Sequence, residues 1–329
     1  MTAGLVAATG NDPIEAMRAL AVGSAGSWDA VGYTLYYATD IAFTGLAVAV
    51  AFQGGLFNIG AEGQAYVAGL GVTVVALSGL PNWVLVPLAI LAGAGFGAVW
   101  GAIPGWLQAR RGSHIVITTI MFNFLAASLM VYLIVNVLIA PGSMAPESRA
   151  FPDGAMLGRV HLAGVSAPLN AAGLLALGAA LGVWLLIWRT PWGYGLRALG
   201  QSPAVARYAG VDAGRTIIGV MALSGALASG VAVNELLGAQ GKLLLGFTGG
   251  YGFTGIAAAL MGRNHPFGVV VAAVLFGALT QGGAELAFAM PNVPSEIVVL
   301  IQGLVILLAG GMGALLRRPL VLLLGRGGG

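Results

Sequence analysis

Long apolar runs separated by short polar stretches fill most of the sequence. They cover 33–53, 65–79, 83–106, 114–140, 169–189, 216–237, 251–262, 267–290 and 295–314. Apolar residues make up 58% of the chain and charged residues only 8%, whereas a soluble domain carries about 25% charged residues. Long runs with so few charges are membrane spans. We therefore predict an all-α, polytopic membrane protein with about 8–9 transmembrane helices in a single domain, 1–329.

Two of these runs, 65–79 and 251–262, are shorter than the roughly 20 residues that a helical crossing needs. The first follows GGLFNIGAEGQA, 54–65, where four glycines stand among polar residues. Short or glycine-interrupted runs are typical of broken or re-entrant helices that line a transport pathway. The alternative is two ordinary spans with misjudged ends. We predict one or two broken or re-entrant segments.

The arginines predict the orientation. If each run crosses once, ten basic residues fall on one side: Arg110, Arg111, Arg189, Arg197, Arg207, Arg215, Arg263, Arg317, Arg318 and Arg326. Only Arg18, Arg149, Arg159 and Lys242 fall on the other side. By the positive-inside rule the first side is cytoplasmic. This places the N-terminal segment 1–32 and the 141–168 loop outside, and the 190–215 loop inside.

The inner loop contains signals for a short helix. Ser202 is a good N-cap, Pro203 a good first residue and Gly210 a good terminator. The predicted helix, 203–209, has small residues and no strong apolar face, which favours docking on another protein over burial in lipid. The alternatives are a mere connector or a helix that rests on lipid headgroups.

The run 83–106 carries Gly93, Gly97, Gly101 and Gly105. A spacing of four places these glycines on one helix face, where they let a neighbouring helix approach closely. This pattern indicates packing and not chemistry.

Motifs of enzymes and metal sites are weak or absent in the sequence. The GxGxxG match at 250–255 lies beside a membrane segment without the strand that a dinucleotide site needs, and Gly241-Lys242 is followed by Leu243, so there is no Walker A motif. The three histidines lack ligand spacing and the chain has no cysteine. We predict no catalytic residue and no metal site.

Polar residues within the apolar runs are the candidates for function, because charge in a bilayer is costly and usually faces protein or water. An interhelical hydrogen bond is the alternative role for each amide. Asp40, Glu235, Glu285 and Glu296 lie near predicted outer ends, where they could reach water. The predicted substrate-pathway residues are Phe57, Asn58, Glu62, Gln64, Asn123, Asn234, Gln281 and Gln302. For Glu62 we favour a structural role, in which its carboxylate holds the break closed.

Six stretches carry a resemblance to a known family. They are FNIGAEGQ at 57–64, ITTIMFNFLA at 117–126, GLRALGQSPAVARYAGV at 195–211, MALSGALA at 221–228, GYGFTGIAAALMGRNHPFGVV at 250–270 and VPSEIVVLIQGLVIL at 293–307. Together they resemble the permease subunits of bacterial ABC importers, in the nucleoside-type branch related to ribose and branched-chain amino acid permeases. The likeness extends from about residue 11 to residue 315.

The resemblance implies a cytoplasmic (inner) membrane subunit that works with three partners: a second, homologous permease, a cytoplasmic ATPase and an extracytoplasmic substrate-binding lipoprotein. ATP and magnesium would bind to the ATPase, so this chain would need no cofactor of its own. The short inner helix matches the coupling segment of the family. The residues implied in coupling are Gly200, Ser202, Pro203, Arg207 and Tyr208.

Three features depart from the family pattern. Relatives usually have a whole apolar span before the stretch that matches NDPIEAMRAL, 11–20, where this sequence has ten residues. We expect either a start codon assigned too late or a lost span. Ile115 and Thr254 stand where relatives often carry acids.

The combined prediction is an ABC importer permease that moves a small polar solute, a nucleoside or nucleobase, inward by alternating access. A permease for a sugar or another polar metabolite is the alternative within this class. An ion-coupled secondary transporter is the alternative from a different class.

Overall fold

The computed structural model describes residues 12–160, 165–290, 300 and 302–304, and the described chain is helical without a strand. Eleven α-helices lie in these ranges: α1 Pro13–Ala25, α2 Trp28–Gln53, α3 Ala61–Ala76, α4 Asn82–Arg111, α5 Ile115–Leu133, α6 Ala172–Arg189, α7 Pro191–Gln201, α8 Pro203–Tyr208, α9 Ala213–Ala232, α10 Tyr251–Met261 and α11 Pro266–Ala289. Two π-helical segments, Ile134–Leu138 and Val233–Gln240, continue α5 and α9.

Six of these helices, counting the π-helical extensions, are long and apolar enough to cross a membrane. The candidate spans within them begin at Trp28, Trp83, Ile115, Ala172, Ala213 and Pro266. This confirms a multi-pass, all-α membrane protein, while the count of 8–9 spans stays a prediction. The last predicted run, 295–314, lies outside the described residues apart from 300 and 302–304.

The helices begin where capping chemistry allows. Side chains at five N-caps accept a hydrogen bond from a backbone N–H in the first turn, and these residues are Asp12, Ser27, Thr190, Ser202 and Asp212. Proline follows three of these caps as the first helical residue, where its missing N–H costs nothing. The predicted cap and first residue of α8, Ser202 and Pro203, are therefore confirmed.

The break in the chain is observed where the glycines predict it. Helix α2 ends at Gln53 and α3 begins at Ala61, with Gly55 in the left-handed region at φ +73°. Helices α3 and α10 have 16 and 11 residues, shorter than the roughly 20 needed to cross a bilayer. Both short runs therefore form helices shorter than an ordinary span, and their broken or re-entrant character stays a prediction.

The inner loop contains more structure than the sequence indicated. Residues 190–215 were predicted to hold one short helix, but α7 precedes it. Helix α7 buries Leu196 and Leu199, and a Cβ at Gly193 would collide with the carbonyl oxygens of Leu186 and Ile187. The glycines of α7 lower its helix propensity, so the sequence did not indicate a helix here. The same glycines permit the close packing of α7 on α6.

The glycine ridge of α4 packs against α9, as predicted. A Cβ at Gly97 would meet the carbonyl oxygen of Gly225, and a Cβ at Gly101 would meet that of Met221. The two helices touch backbone to backbone, which only small residues permit.

Helix α2 lies at the centre of the bundle and α5 at its edge. The most apolar stretch of α2 is 83% buried, whereas that of α5, with its π-helical extension, is 17% buried. The exposed side of α5 is apolar, with Ile117, Met121 and Phe124 uncovered. Such a surface suits contact with lipid or with another membrane subunit.

The two ends of the bundle bring together the regions that were assigned to the same side. At one end, Gln53 Nε2 donates to the backbone oxygen of Asn264 at 2.9 Å, and Gly55 touches Gly200. At the other end, Lys242 pairs with Glu147 at 2.7 Å. We call these the inner and outer ends, following the arginine distribution.

Candidate solute-binding site

The break between α2 and α3 encloses a compact polar cluster. The Asn58 side chain donates to Ser224 Oγ at 2.8 Å and to Gln64 Oε1 at 3.1 Å, and it accepts from the Gly60 N–H at 2.8 Å. Ser224 in turn donates to the Ala47 carbonyl. Asn58 is fully buried. Its polar atoms are therefore satisfied within the protein.

A second amide side chain, that of Asn123, bonds to backbone groups that have no helical partner at the break. Asn123 Nδ2 donates to the Ile59 carbonyl at 2.8 Å, and Asn123 Oδ1 accepts from the Gly63 N–H at 2.9 Å. The Ile59 N–H donates to Thr119 Oγ1 at 3.3 Å. Irregular backbone at membrane depth requires such partners. Helix α5 thus supplies the hydrogen bonds that the helical ladder has lost.

Glu62 connects the break to a distant part of the chain. Its carboxylate accepts from Thr248 Oγ1 at 2.5 Å, from the Gly252 N–H at 2.8 Å and from the Gly250 N–H at 3.2 Å. These donors lie at the N-terminus of α10, where a negative charge is favourable. The carboxylate therefore fixes both the start of α10 and the linker 241–250 that precedes it.

The 241–250 linker forms one wall of a cavity of about 570 Å³ towards the outer end. The α2 wall carries three tyrosines and the π-helical segment after α9 carries two polar residues. The described lining residues are Tyr33, Tyr36, Tyr37, Ser166, Pro168, Glu235, Ala239, Gln240, Leu244, Leu245, Gly246, Phe247, Gly249 and Tyr251. We call this space the tyrosine cavity. Its volume lies within the range of ordinary ligand pockets, about 300–1,000 Å³.

The aromatic rings of this cavity form a connected group. The centroids of Tyr33 and Tyr37 are 6.5 Å apart, those of Tyr36 and Tyr37 5.5 Å, and those of Tyr37 and Tyr251 6.3 Å. The α2 tyrosines share one helix side because they are three and four residues apart. Tyr251 enters from α10, whose start Glu62 holds. The group offers flat apolar surfaces edged by hydroxyl groups.

A buried polar network backs the cavity. Asn234 Nδ2 donates to Asp40 Oδ2 at 2.8 Å, and Asn170 Nδ2 donates to Asn234 Oδ1 at 2.8 Å. Asp40 is fully buried and Glu235 is 4% exposed. The prediction that these two acids simply reach water near the outer end was therefore wrong, because α2 and the π-helical segment pack around them.

The structure brings together four of the predicted pathway residues at the break: Asn58, Glu62, Gln64 and Asn123. Of the other four, Phe57 directly precedes Asn58 in the chain, and Gln302 contacts the residue before Gln281. Phe57 lines an inner cavity of about 430 Å³, Gln281 lines an outer groove, and Asn234 belongs to the network behind the tyrosine cavity. Gln302 Nε2 donates to Thr280 Oγ1 at 3.3 Å.

The tyrosines and Glu235 line the tyrosine cavity but were not among the predicted pathway residues. One signal was available, because YTLYY at 33–37 places three tyrosines on neighbouring positions of one helix. In the part of the chain that the structure describes, no group of three or more His, Cys, Asp or Glu side chains could hold a metal ion.

The predicted coupling residues lie together at the inner end. Arg207 and Tyr208 are exposed on α8, and Tyr208 is 94% exposed. Gly200, near the end of α7, packs so closely on the break that a Cβ there would collide with the Gln53 carbonyl. Helix α7 therefore connects the exposed helix α8 to the break between α2 and α3.

Comparisons with known proteins agree with this architecture. A family described as "Branched-chain amino acid transport system / permease component" matches residues 30–310. A guanosine ABC transporter permease protein of Bacillus subtilis is 37% identical over 84% of this chain and 80% of its own length. A glucose ABC transporter permease protein of Haloferax volcanii is 36% identical over 90% and 80%.

A nucleoside ABC transporter permease protein of Lactococcus lactis is 31% identical over 92% of this chain and 85% of its own length. The Bacillus and Lactococcus relatives each have a second permease protein for the same named solute that also matches, at 26% and 27% identity. The family match covers most of the chain and confirms the resemblance seen in its motifs. The chain belongs to the branched-chain amino acid transport system permease family and is a permease of the ABC importer type for small polar solutes.

Proposed function

We propose that this chain moves nucleosides across the cytoplasmic membrane as one permease subunit of an ABC importer. The observation that carries the proposal is the tyrosine cavity, with four tyrosines and Phe247 around a space of about 570 Å³. Aromatic side chains stack on nucleobases, and this interaction is worth about 1–3 kcal/mol per base in single-strand binding proteins. Relatives named for guanosine and for nucleosides support this solute class.

A sugar is the second candidate solute. The relative named for glucose, at 36% identity, favours it. Aromatic faces and a carboxylate can also bind a pyranose ring. What favours nucleosides is the number of tyrosines relative to polar groups, because a hexose presents hydroxyl groups on every edge and few apolar faces.

The partners form part of the same proposal. A separate ATPase would bind ATP and magnesium, a lipoprotein would deliver the solute, and a second permease would complete the pathway. The paired permease proteins of the Bacillus and Lactococcus relatives support a heterodimer.

Uptake by the complete importer tests the solute and the energy source together. Proteoliposomes that contain both permeases, the ATPase and the binding lipoprotein should accumulate labelled guanosine or uridine when ATP is enclosed. Labelled glucose should not accumulate. Uptake of glucose without nucleoside would establish the second candidate, and nucleoside uptake driven by an ion gradient without ATP would contradict the ABC mechanism.

We propose further that α8 receives the motion of the ATPase and that α7 transmits it to the break. The contacts that support this are the exposed Arg207 and Tyr208, and the close packing of Gly200 on Gln53. Arg207→Glu should leave the complex assembled while uptake and solute-stimulated ATP hydrolysis fall together. Unchanged uptake in this variant would contradict the coupling role.

The orientation is tested by labelling. The chain has no native cysteine, so Ala150→Cys and Ala204→Cys are clean single-site reporters, and both positions are exposed. An impermeant thiol reagent should label Ala150→Cys from outside and Ala204→Cys from inside. The reverse pattern would invert the assignment of inner and outer ends.

A further inference from the structure

Two buried carboxyl groups lie side by side behind the tyrosine cavity. Asp40 is fully buried in the middle of α2, and Glu235 is 4% exposed in the π-helical segment that continues α9. Their carboxyl groups are hydrogen-bonded to each other. The pair therefore joins the central helix of the bundle to a segment that lines the cavity.

The other hydrogen bonds of the pair come from neutral donors. Asn234 Nδ2 donates to Asp40 Oδ2 at 2.8 Å. The Tyr36 hydroxyl and the Gln240 side chain donate to Glu235, the latter at 3.3 Å. Amide and phenol groups stabilise a carboxylate but carry no positive charge. These donors therefore cannot balance the charge of two ionised acids.

The ionisable groups around the pair offer no such balance either. Those contributed by α2, α3 and α10 are phenols and one further acid, namely Tyr36, Tyr37, Tyr251 and, beyond Tyr251, Glu62. Of the basic residues at the outer end, Lys242 pairs with Glu147 at 2.7 Å, and Arg159 donates to the Ala239 backbone carbonyl at 3.2 Å. In the described part of the chain, the ionisable groups beside the pair are thus phenols and acids.

A hydrogen bond between two carboxyl groups requires a proton. An ionised carboxylate is an acceptor only, whereas a protonated carboxyl donates through its O–H. Two carboxylates in contact cannot both stay ionised, because their like charges repel and burial removes the water that would screen them. Asp40 Oδ1 is also buried and receives no bond from an N–H or hydroxyl donor of the described chain. A proton on the pair accounts for both observations.

We propose that Asp40 and Glu235 together form a proton-binding site, in which one proton is shared between the two carboxyl groups and joins α2 to the π-helical segment. Tyr36 lines the tyrosine cavity and donates to Glu235, so the proton completes a chain of hydrogen bonds from the cavity wall into the bundle. Loss of the proton would leave two carboxylates in contact and drive α2 and the segment apart. The site requires no particular solute, so it stands apart from the proposed nucleoside transport.

Infrared spectroscopy of the purified importer, in a detergent without ester groups, detects a protonated carboxyl through its C=O stretching band. At neutral pH the wild type should show this band, and heavy water should shift it. Asp40→Asn and Glu235→Gln each replace one carboxyl with an amide that can donate to the other. The remaining carboxyl then needs no proton, so each substitution alone should remove the same component of the band.

Glu285→Gln is the matched control for these spectra. It makes the same chemical change at an exposed carboxyl in the outer groove. It should leave the protonated-carboxyl band of the wild type unchanged.

The pH dependence of stability gives a second readout. The folded pair holds a proton that separated carboxyls release in water, so the wild type should lose stability as the pH rises. Asp40→Asn has no shared proton to lose. The fall of its thermal unfolding midpoint between neutral and alkaline pH should be at least about twofold smaller than that of the wild type. Other titrating groups are the same in both proteins and cancel from this comparison.

A wild type without the band, or a band that survives both substitutions, would overturn the shared proton. Loss of the band in one variant only would place the proton on that residue alone and would also overturn it. An equal fall of the midpoint in wild type and Asp40→Asn would have the same meaning. If the variants do not assemble, carbon-isotope labelling of the aspartate or the glutamate carboxyls of the wild type replaces them. Each label should shift the band, and a band that responds to one label only would contradict sharing.

Discussion

Two polar regions lie inside the apolar bundle, and they differ in whether they enclose open space. In the cluster around the break, Asn58 is hydrogen-bonded to Gln64 and to Ser224. Asn123 is hydrogen-bonded to the backbone of Ile59 and Gly63. The tyrosine cavity is an open space of about 570 Å³ lined by aromatic rings, and the Glu235 carboxyl group at its wall is hydrogen-bonded to Tyr36, Gln240 and Asp40. The first region is closed and the second is open.

This difference distinguishes side chains that stabilise the fold from side chains that can bind a solute. A buried polar group whose bonds are complete has nothing to offer a solute, and removing it leaves its partners unsatisfied. An aromatic side chain that lines a cavity keeps surface free for a solute. A sequence does not show which of its residues are enclosed and which line open space. Access to open space is therefore the property that distinguishes the two regions.

The largest loss of folded complex should follow from Glu62→Ala. The substitution leaves the Thr248 hydroxyl and two backbone N–H groups without an acceptor, at a cost of roughly 1–3 kcal/mol each. We expect little folded complex, measured as monodisperse material by size-exclusion chromatography. Glu62→Gln, which keeps an acceptor, should recover part of the yield. Normal yield with an altered solute preference would place Glu62 in the binding site instead.

A smaller loss of stability should follow from Asn58→Ala. Ser224, Gln64 and the Gly60 N–H would each lose one partner, which is worth about 1 kcal/mol per hydrogen bond or more when the partner stays buried. The thermal unfolding midpoint should fall, while guanosine uptake per folded complex stays that of the wild type. The sequence alone assigned Asn58 to the substrate pathway. Weakened uptake at unchanged stability would support that assignment and would contradict a purely structural role for Asn58.

The smallest effect on folding and a selective effect on transport should follow from Tyr37→Ala. Tyr37 contacts Tyr33, Tyr36 and Tyr251 in the aromatic group. Loss of a stacking surface should reduce nucleoside uptake by about tenfold, corresponding to about 1.4 kcal/mol. Tyr37→Phe retains the ring and should stay within about twofold of the wild type. Equal losses in both variants would show that the hydroxyl, not the ring, matters.

Much of the fold was predictable because it follows from strong one-dimensional signals. Apolar runs predict spans, the glycines after Gln53 predict the break, and the spacing of Gly93 to Gly105 predicts the tight contact of α4 with α9. Helix α7 was missed because its glycines weaken helix propensity, and tertiary packing on α6 outweighs that preference. The arginine pattern also groups the loops that the fold brings together at each end.

The site was less predictable because it depends on which distant residues meet. The contact of Glu62 with Thr248 joins positions 186 residues apart, and no local pattern encodes it. Glu235 and the tyrosines of α2 come together only through packing of the π-helical segment. A sequence shows that Asn58 is polar and that Tyr37 is aromatic, but not that Asn58 is enclosed and that Tyr37 lines a cavity.

Accessibility of the two regions to a thiol reagent tests this distinction most directly. Ala239 lines the tyrosine cavity and Ser224 lies in the closed cluster, so Ala239→Cys and Ser224→Cys report on the two regions in a chain without native cysteine. With the binding lipoprotein present throughout, an impermeant reagent added outside should label Ala239→Cys and leave Ser224→Cys unmodified. Saturating guanosine should slow labelling of Ala239→Cys by at least about fivefold, as occupancy of the cavity requires. Labelling of Ala239→Cys that guanosine does not affect, together with guanosine-protected labelling of Ser224→Cys, would contradict the account.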